Sequence, residues 1–259
     1  MIPPVPLLCL DIGNTTCRGG MWLEGKITDE KSISTKDFAQ CASSWLGSWS
    51  LPNKVSYCSV VPEVEKTLLS LLSAQRNYEF FRLTAESQSQ LPIQYPKPNE
   101  IGADRIANSY AVYKKFPLPA VVVDLGTATT FDVVTKSGGY LGGVIVPGPQ
   151  GMLDYLGNRT ALLPRIDLSE KTRAVKAIGR STDLAILSGI CHGYTPMLKG
   201  ILNSIIEEIE KHGEIVQSIL QTGGEARNFF INGATLDNSL TLEGLALACL
   251  DQISSHALK

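Results

Sequence analysis

The feature that most limits how this chain can fold is a pattern that occurs twice: strand, Asp-x-Gly loop, strand, glycine turn, strand. The fuller copy is Ala120 to Pro149, AVVVDLGTATTFDVVTKSGGYLGGVIVPGP. Its run Val121-Val122-Val123 reads as buried strand, because branched side chains pack well on a pleated surface. The strand ends in an acid, Asp124, followed by Gly126, Thr127, Thr129 and Thr130. Val133-Val134 continue extended, Ser137-Gly138-Gly139 turns the chain as a hairpin, and Tyr140 to Val146 is a third strand. The weaker copy begins with apolar Leu7 to Leu10 and the loop Asp11-Ile12-Gly13-Asn14-Thr15-Thr16. Arg18 to Leu23 resumes as strand, Gly25 turns, and Lys26 to Ile33 returns. A single Asp-x-Gly is simply a turn, since both residues are favoured there. Two copies in the same strand order, far apart in the chain, indicate duplication of a domain-sized unit. A buried strand ending this way puts a carboxylate, side-chain-free backbone and hydroxyls at one sheet edge, which suits a phosphate and its metal ion.

The remaining segments alternate helix and strand. Lys36 to Trp49 has apolar residues at helical spacing, Lys54 to Val61 is a strand, and Glu63 to Ala74 is an amphipathic helix. Glu79 to Leu83 is another strand, Gln90 to Glu100 is broken by prolines, and Ile106 to Lys115 is a helix stopped by Pro117. In the second half, Gly151 to Arg159 is a helix and Thr160 to Thr172 a polar loop. A long helix runs from about Asp183 to Lys211, with Pro196 expected to kink it. Ile215 to Gln221 is a strand, Thr222 to Ala226 turns into a short helix, and Leu240 begins a final helix ending near Ser255. The expected fold is α/β, in two domains, 1–118 and 119–259, each within the usual domain size.

Composition excludes several function classes. The 259 residues are 44% hydrophobic and 19% charged, which leaves ample apolar material for a core and no disorder signature. A net charge of −2 and the absence of a Lys/Arg run argue against a nucleic-acid partner. The six cysteines form no Cys-x-x-Cys pair, and His192, His212 and His256 are too scattered for a metal cluster. No apolar run is long enough to span a bilayer, and the opening MIPPVPLLCL lacks a basic n-region, so a cytoplasmic protein without signal peptide is expected. P-loop, dinucleotide, serine-hydrolase and zinc-protease motifs are all missing. Asp104 and Arg105 have a plain structural explanation as first-turn helix residues, as does Ser181 or Thr182 as an N-cap.

Asp11-Ile-Gly-Asn-Thr, Gly102-Ala-Asp-Arg, Asp124-Leu-Gly-Thr-Ala-Thr, Gly179-Arg-Ser-Thr and Thr222-Gly-Gly, in that order, resemble the type III pantothenate kinases. These belong to the acetate kinase/sugar kinase/heat-shock-70/actin superfamily. The resemblance spans essentially the whole chain. It implies two duplicated ribonuclease-H-like (actin-like ATPase) domains with mixed β-sheets flanked by helices. It also implies ATP-dependent phosphorylation of pantothenate to 4′-phosphopantothenate, the first step of coenzyme A synthesis. The alternatives are a non-catalytic regulatory homologue and a superfamily kinase with another small acceptor.

Position by position, the resemblance makes Asp11, Ile12, Gly13, Asn14, Thr15, Thr16, Cys17 and Arg18 the first phosphate loop, with Asp11 organising Mg²⁺–ATP. Asp124 corresponds to the residue holding a monovalent cation, K⁺ or NH₄⁺. Thr127 touches ATP, and Gly223 and Gly224 lie against the adenosine. Tyr95, Gly102, Ala103, Asp104 and Arg105 form the pantothenate site, with Thr182 reaching it from across a subunit boundary. Asp104 is the implied catalytic base, and Arg105 can pair with the substrate carboxylate. The family resemblance also implies a homodimer with the long helix at its interface. Two departures stand out: Cys17-Arg18 after the first loop, and Ile106 where the family often has a bulky aromatic.

Overall fold

Each Asp-x-Gly copy becomes the first hairpin of its own five-stranded sheet. The computed structural model describes residues 6–50, 52–74, 78–168 and 175–257. By contacts the chain divides into two units: residues through Pro117 with Val134–Leu141 and those from Ser239 on, and Leu118–Val133 with Gly142–Asn238. The sequence assigns 134–141 and 239–259 to the second half, so the units are not contiguous blocks.

In the first sheet the strands β1 (Leu7–Ile12), β2 (Thr16–Leu23), β3 (Lys26–Ser34), β4 (Lys54–Ser59) and β5 (Glu79–Arg82) take the order β3-β2-β1-β4-β5. β1 pairs antiparallel with β2 and parallel with β4, and β4 is parallel to β5. The turn at Glu24-Gly25, both with positive φ, matches the right-handed twist of a tight hairpin. Opposite Gly20, β3 bulges around Asp29, and the bulge turns Glu30 toward Arg18.

Strand period 2 explains the layers. Leu8, Leu10 and Ile12 of β1 and Val55 and Tyr57 of β4 face α1 (Phe38–Leu46) and α2 (Pro62–Ser73), packing on Phe38, Trp45, Leu68 and Leu72. The alternate residues face α3 (Ala103–Lys115) and α6 (Leu240–Ala257), where Ser56 Oγ donates to the Leu245 carbonyl at 2.8 Å. α3 and α6 lie side by side, joined by a buried Thr241 Oγ1 to Asn108 Oδ1 bond of 2.8 Å and by a Lys115–Glu243 ion pair. α3 begins at Ala103 rather than Ile106, so Asp104 and Arg105 stand in its first turn.

The second sheet has the order β10-β9-β6-β7-β8, with β6 (Ala120–Leu125), β7 (Ala128–Thr135), β8 (Gly139–Pro147), β9 (Ser218–Thr222) and β10 (Thr235–Leu236). β9 lies parallel to both β6 and β10. One face packs on α4 (Pro149–Arg159) and α5 (Thr182–Lys211) through Val121, Val123, Leu153, Leu187, Tyr194 and Leu198. α5 continues through Pro196 without a break, and Ser181 caps it by accepting from Leu184 N at 3.3 Å. The stripe Ile186, Ile190, Met197, Ile201, Ile205 and Ile209 belongs to this unit's own core. Thr222 ends β9 and residues 223–226 form a bend and turn instead of the expected short helix, and part of the expected 160–172 loop lies outside the described residues.

Candidate functional site

In the first unit, Gly13, Asn14 and Thr15 connect β1 to β2, with Asn14, Thr15 and the first β2 residue, Thr16, exposed, and the turn is closed by Gly13 N donating to Thr16 O at 3.2 Å. Asp11 lies one residue before the end of β1, opposite Arg18 on one side and Cys58 on the other. The Cys58 thiol donates to Asp11 Oδ1 at 3.4 Å. Burial, and then the charge of Asp104, push the Asp11 carboxyl up to about 6, against the pull of Arg18 and the Cys58 hydrogen bond. Asp104 therefore lies near enough to Asp11 for its charge to be felt there. Burial also raises the Asp104 carboxyl, while the Arg105 amide and guanidinium oppose the rise. Asp104 Oδ1 accepts from its neighbour's amide, Arg105 N, at 2.8 Å, which fixes the carboxylate in the first turn of α3.

Arg105 lies over the ring of Tyr140, with Cζ 5.9 Å from the centroid, and Tyr95 meets the same ring edge-on at 6.1 Å. The segment 92–94 is stitched to Tyr140 by Tyr140 N to Pro92 O (2.9 Å) and Gln94 N to Tyr140 O (2.9 Å). So Tyr95, Gly102, Ala103, Asp104 and Arg105 do gather in one region, around an aromatic that sequence reasoning passed over. Tyr140 carries no local signal of this role, because its partners lie some forty residues upstream. Cys58 was equally hidden; only the parallel register of β1 and β4 sets it against Asp11.

In the second unit, Asp124 pairs in register with Thr222, the last residue of β9. The next residue, Gly223, has φ +96°, a conformation L side chains rarely adopt. Thr222 is fully buried and its hydroxyl Oγ1 has no hydrogen-bond partner. Thr127 and Gly224 are exposed, and Thr182 is exposed as the first residue of α5. The loop here is one residue shorter than in the first unit: Gly126 N donates to Ala128 O at 3.1 Å, and β7 starts at Ala128. Thr16 and Thr129, which match when the two loops are aligned, therefore hold different strand positions.

Two duplicated mixed sheets flanked by helices, each opening on an Asp-x-Gly hairpin, define the ribonuclease-H-like fold of actin-like ATPases and sugar kinases. The activator of 2-hydroxyisocaproyl-CoA dehydratase from Clostridium difficile, solved with bound ADPNP, shares this fold. It has a TM-score of 0.50 at 15% identity, covering 98% of each chain. A protein from Campylobacter jejuni described as a Baf family transcriptional activator superposes with a TM-score of 0.60 at 21% identity, over 97% of this chain and 100% of that one. Sequence narrows the class. The family model for type III pantothenate kinase matches residues 7–204. A type III pantothenate kinase of Methylacidiphilum infernorum is 33% identical over 248 residues, 93% of this chain and 87% of its own. The chain belongs to the type III pantothenate kinase family.

Proposed function

We propose that this protein transfers the γ-phosphoryl group of ATP to the primary hydroxyl of pantothenate, giving 4′-phosphopantothenate for coenzyme A synthesis. The observation that carries the reading is the convergence of Asp11, Asp104 and Arg105 in the first unit, one carboxylate for the nucleotide, one for the acceptor and a cation for the acceptor's carboxylate. Asp104 accepts the hydroxyl proton as the oxygen attacks phosphorus. Its raised proton affinity makes it a better base than an exposed aspartate. Arg105, held against Tyr140, binds the pantothenate carboxylate, and Tyr95 closes the same region. Gly102 and Ala103 set the start of α3 and so the aim of both side chains. Thr182 is proposed to contact pantothenate from a second subunit.

The loop Asp11–Arg18 receives the phosphates, and Thr127, Gly223 and Gly224 contact the nucleotide. Among the described residues no cluster of three or more His, Cys, Asp or Glu could hold a metal ion. Mg²⁺ binds through substrate phosphates and one or two carboxylates, and Asp11, near the end of β1 beside the exposed loop, is the carboxylate proposed here. When bound, Mg²⁺ neutralises charge on the transferred group, whose loose transition state otherwise depends on positioning. Asp124 beside the buried, unpartnered Thr222 hydroxyl offers oxygen ligands suited to a monovalent cation, K⁺ or NH₄⁺.

A homodimer completes the reading. Support comes from an apolar groove of about 680 Å³ between α4 and α5, lined by Met152, Tyr155, Ile186 and Ile190, and from exposed Leu184 beside it. Among the described residues no helix is long and apolar enough to cross a membrane, and the working place proposed is the cytoplasm. The test is ATP-dependent phosphorylation of pantothenate by purified protein with Mg²⁺, in K⁺ and in Na⁺ buffers. K⁺-dependent product is expected. No product from folded protein that still binds nucleotide refutes the reading in favour of a regulatory homologue or another acceptor.

A further inference from the structure

The loop between β1 and β2 is held from outside itself. Thr35, the first residue after β3, is nearly buried at 9% exposure. Its amide donates to Thr15 O at 2.9 Å and its hydroxyl donates to Gly13 O at 2.7 Å. Cys17 Sγ lies 3.5 Å from the same hydroxyl. One residue thus engages two carbonyls of a four-residue turn. Carbonyl oxygens facing an anion repel it, whereas loop amides and hydroxyls attract it. Tying both carbonyls to Thr35 therefore biases the loop toward an anion-receiving shape.

The duplicated half supplies an internal comparison. There the first residue after β8 is Gly148, and its amide donates to Thr127 O at 3.0 Å. The same backbone bond fastens the residue that precedes the second strand in each half. Gly148 brings no hydroxyl, and a Cβ added there would lie 2.6 Å from Thr127 O, so this position has no room for one. The side-chain clamp is confined to the first loop.

We infer that Thr35 is a positioning residue for the nucleotide, its hydroxyl holding the Asp11–Thr16 loop in the shape that receives the phosphates of ATP. The inference rests on the reading of that loop as the phosphate loop; Thr35 itself touches no substrate.

The test uses the full chain with Thr35→Val, which keeps the side-chain shape and loses the hydroxyl, Thr35→Ser, which keeps the hydroxyl, and Asp11→Ala. Each is titrated with Mg²⁺ and a non-hydrolysable ATP analogue, and KM for pantothenate and Tm are measured alongside. Thr35→Val is expected to raise the nucleotide Kd about tenfold, equivalent to about 1.4 kcal/mol, in line with leaving a partly buried carbonyl unsatisfied. Thr35→Ser should stay within about threefold of the parent, since one restored hydrogen bond accounts for the difference. KM for pantothenate should not change. Loss of affinity for both substrates in step with Tm, alike in the Val and Ser variants, would overturn the inference as a purely structural effect. A parent-like nucleotide Kd in Thr35→Val, with Asp11→Ala impaired, overturns the clamp and leaves the phosphate loop standing. Parent-like binding in both variants removes the loop assignment and the clamp together.

Discussion

A Cβ built on Gly223 would lie 2.5 Å from Asp124 Oδ1, so these two residues can be neighbours only while position 223 has no side chain. The parallel register that sets Asp124 against Thr222 brings the chain to this point, and the φ of +96° lets it turn away. Gly223→Ala is expected to cost about 2 kcal/mol or more, from strain and crowding combined, and to impair nucleotide binding. At Gly224 an added Cβ meets nothing within 4 Å, and Gly224→Ala should change stability by no more than about 0.5 kcal/mol. Denaturant unfolding of the two variants decides it: equal stabilities would refute the close approach.

Asp11 makes a pH-dependent contribution to stability. Its carboxyl ordinarily loses its proton near 3.8 and is held up to about 6 in the folded protein. A folded-state value above the unfolded one gives stability that is present below about 3.8 and lost as pH rises through about 6. At pH 8 the nucleotide-free protein therefore bears the cost of an ionised, partly buried carboxylate beside Asp104. Asp11→Asn should be more stable than the parent there, by about 1–3 kcal/mol, and the gain should shrink toward zero near pH 4. Unfolding curves at both values check the sign. The same variant should bind Mg²⁺–ATP poorly, a trade of function for stability.

Asp104→Asn removes the proposed base and keeps the side-chain shape. Turnover should fall about 10²- to 10⁴-fold, with nucleotide affinity retained. Steady-state kinetics with a parallel nucleotide titration test this; near-normal kcat would remove Asp104 from the base role.

Tyr140 carries no chemistry of its own and should still matter for the acceptor. With the Arg105 guanidinium 5.9 Å above its ring, Tyr140→Leu removes a cation–π contact of about 0.5–2 kcal/mol. KM for pantothenate is expected to rise by about two- to thirtyfold on that basis, with KM for ATP unchanged. Arg105→Lys keeps the charge but loses the planar fork, and should raise the same KM. Equal effects on both substrates would point to general loss of packing instead.

Much of this protein was determined by its sequence alone, because the relevant signals are local. Strand, Asp-x-Gly, strand, turn and strand follow from branched residues, a turn and alternation, and both copies formed where the pattern lies. The helix over 182–211 and the last helix from Leu240 follow from apolar spacing and the Ser181 cap. The candidate site residues were drawn from the resemblance of five short motifs to a known family, most of them joined to a strand or helix end.

Long-range register decided the rest. Which residue meets Asp11 depends on β4 lying parallel to β1, and a shift of one residue would replace Cys58 with a neighbour from the opposite face. Thr35 grips the first loop only because β3 returns to its start, and Arg105 finds Tyr140 only because the β7–β8 turn comes back to 92–95. α6 reads in the sequence as the end of the second half, yet its apolar face is buried against α3 and the first sheet. Nothing in the spacing of its own side chains says which sheet that face will meet. Periodicity specifies that a helix must bury a face, whereas the complementary surface is made from residues far away in the chain, and only the folded structure selects it.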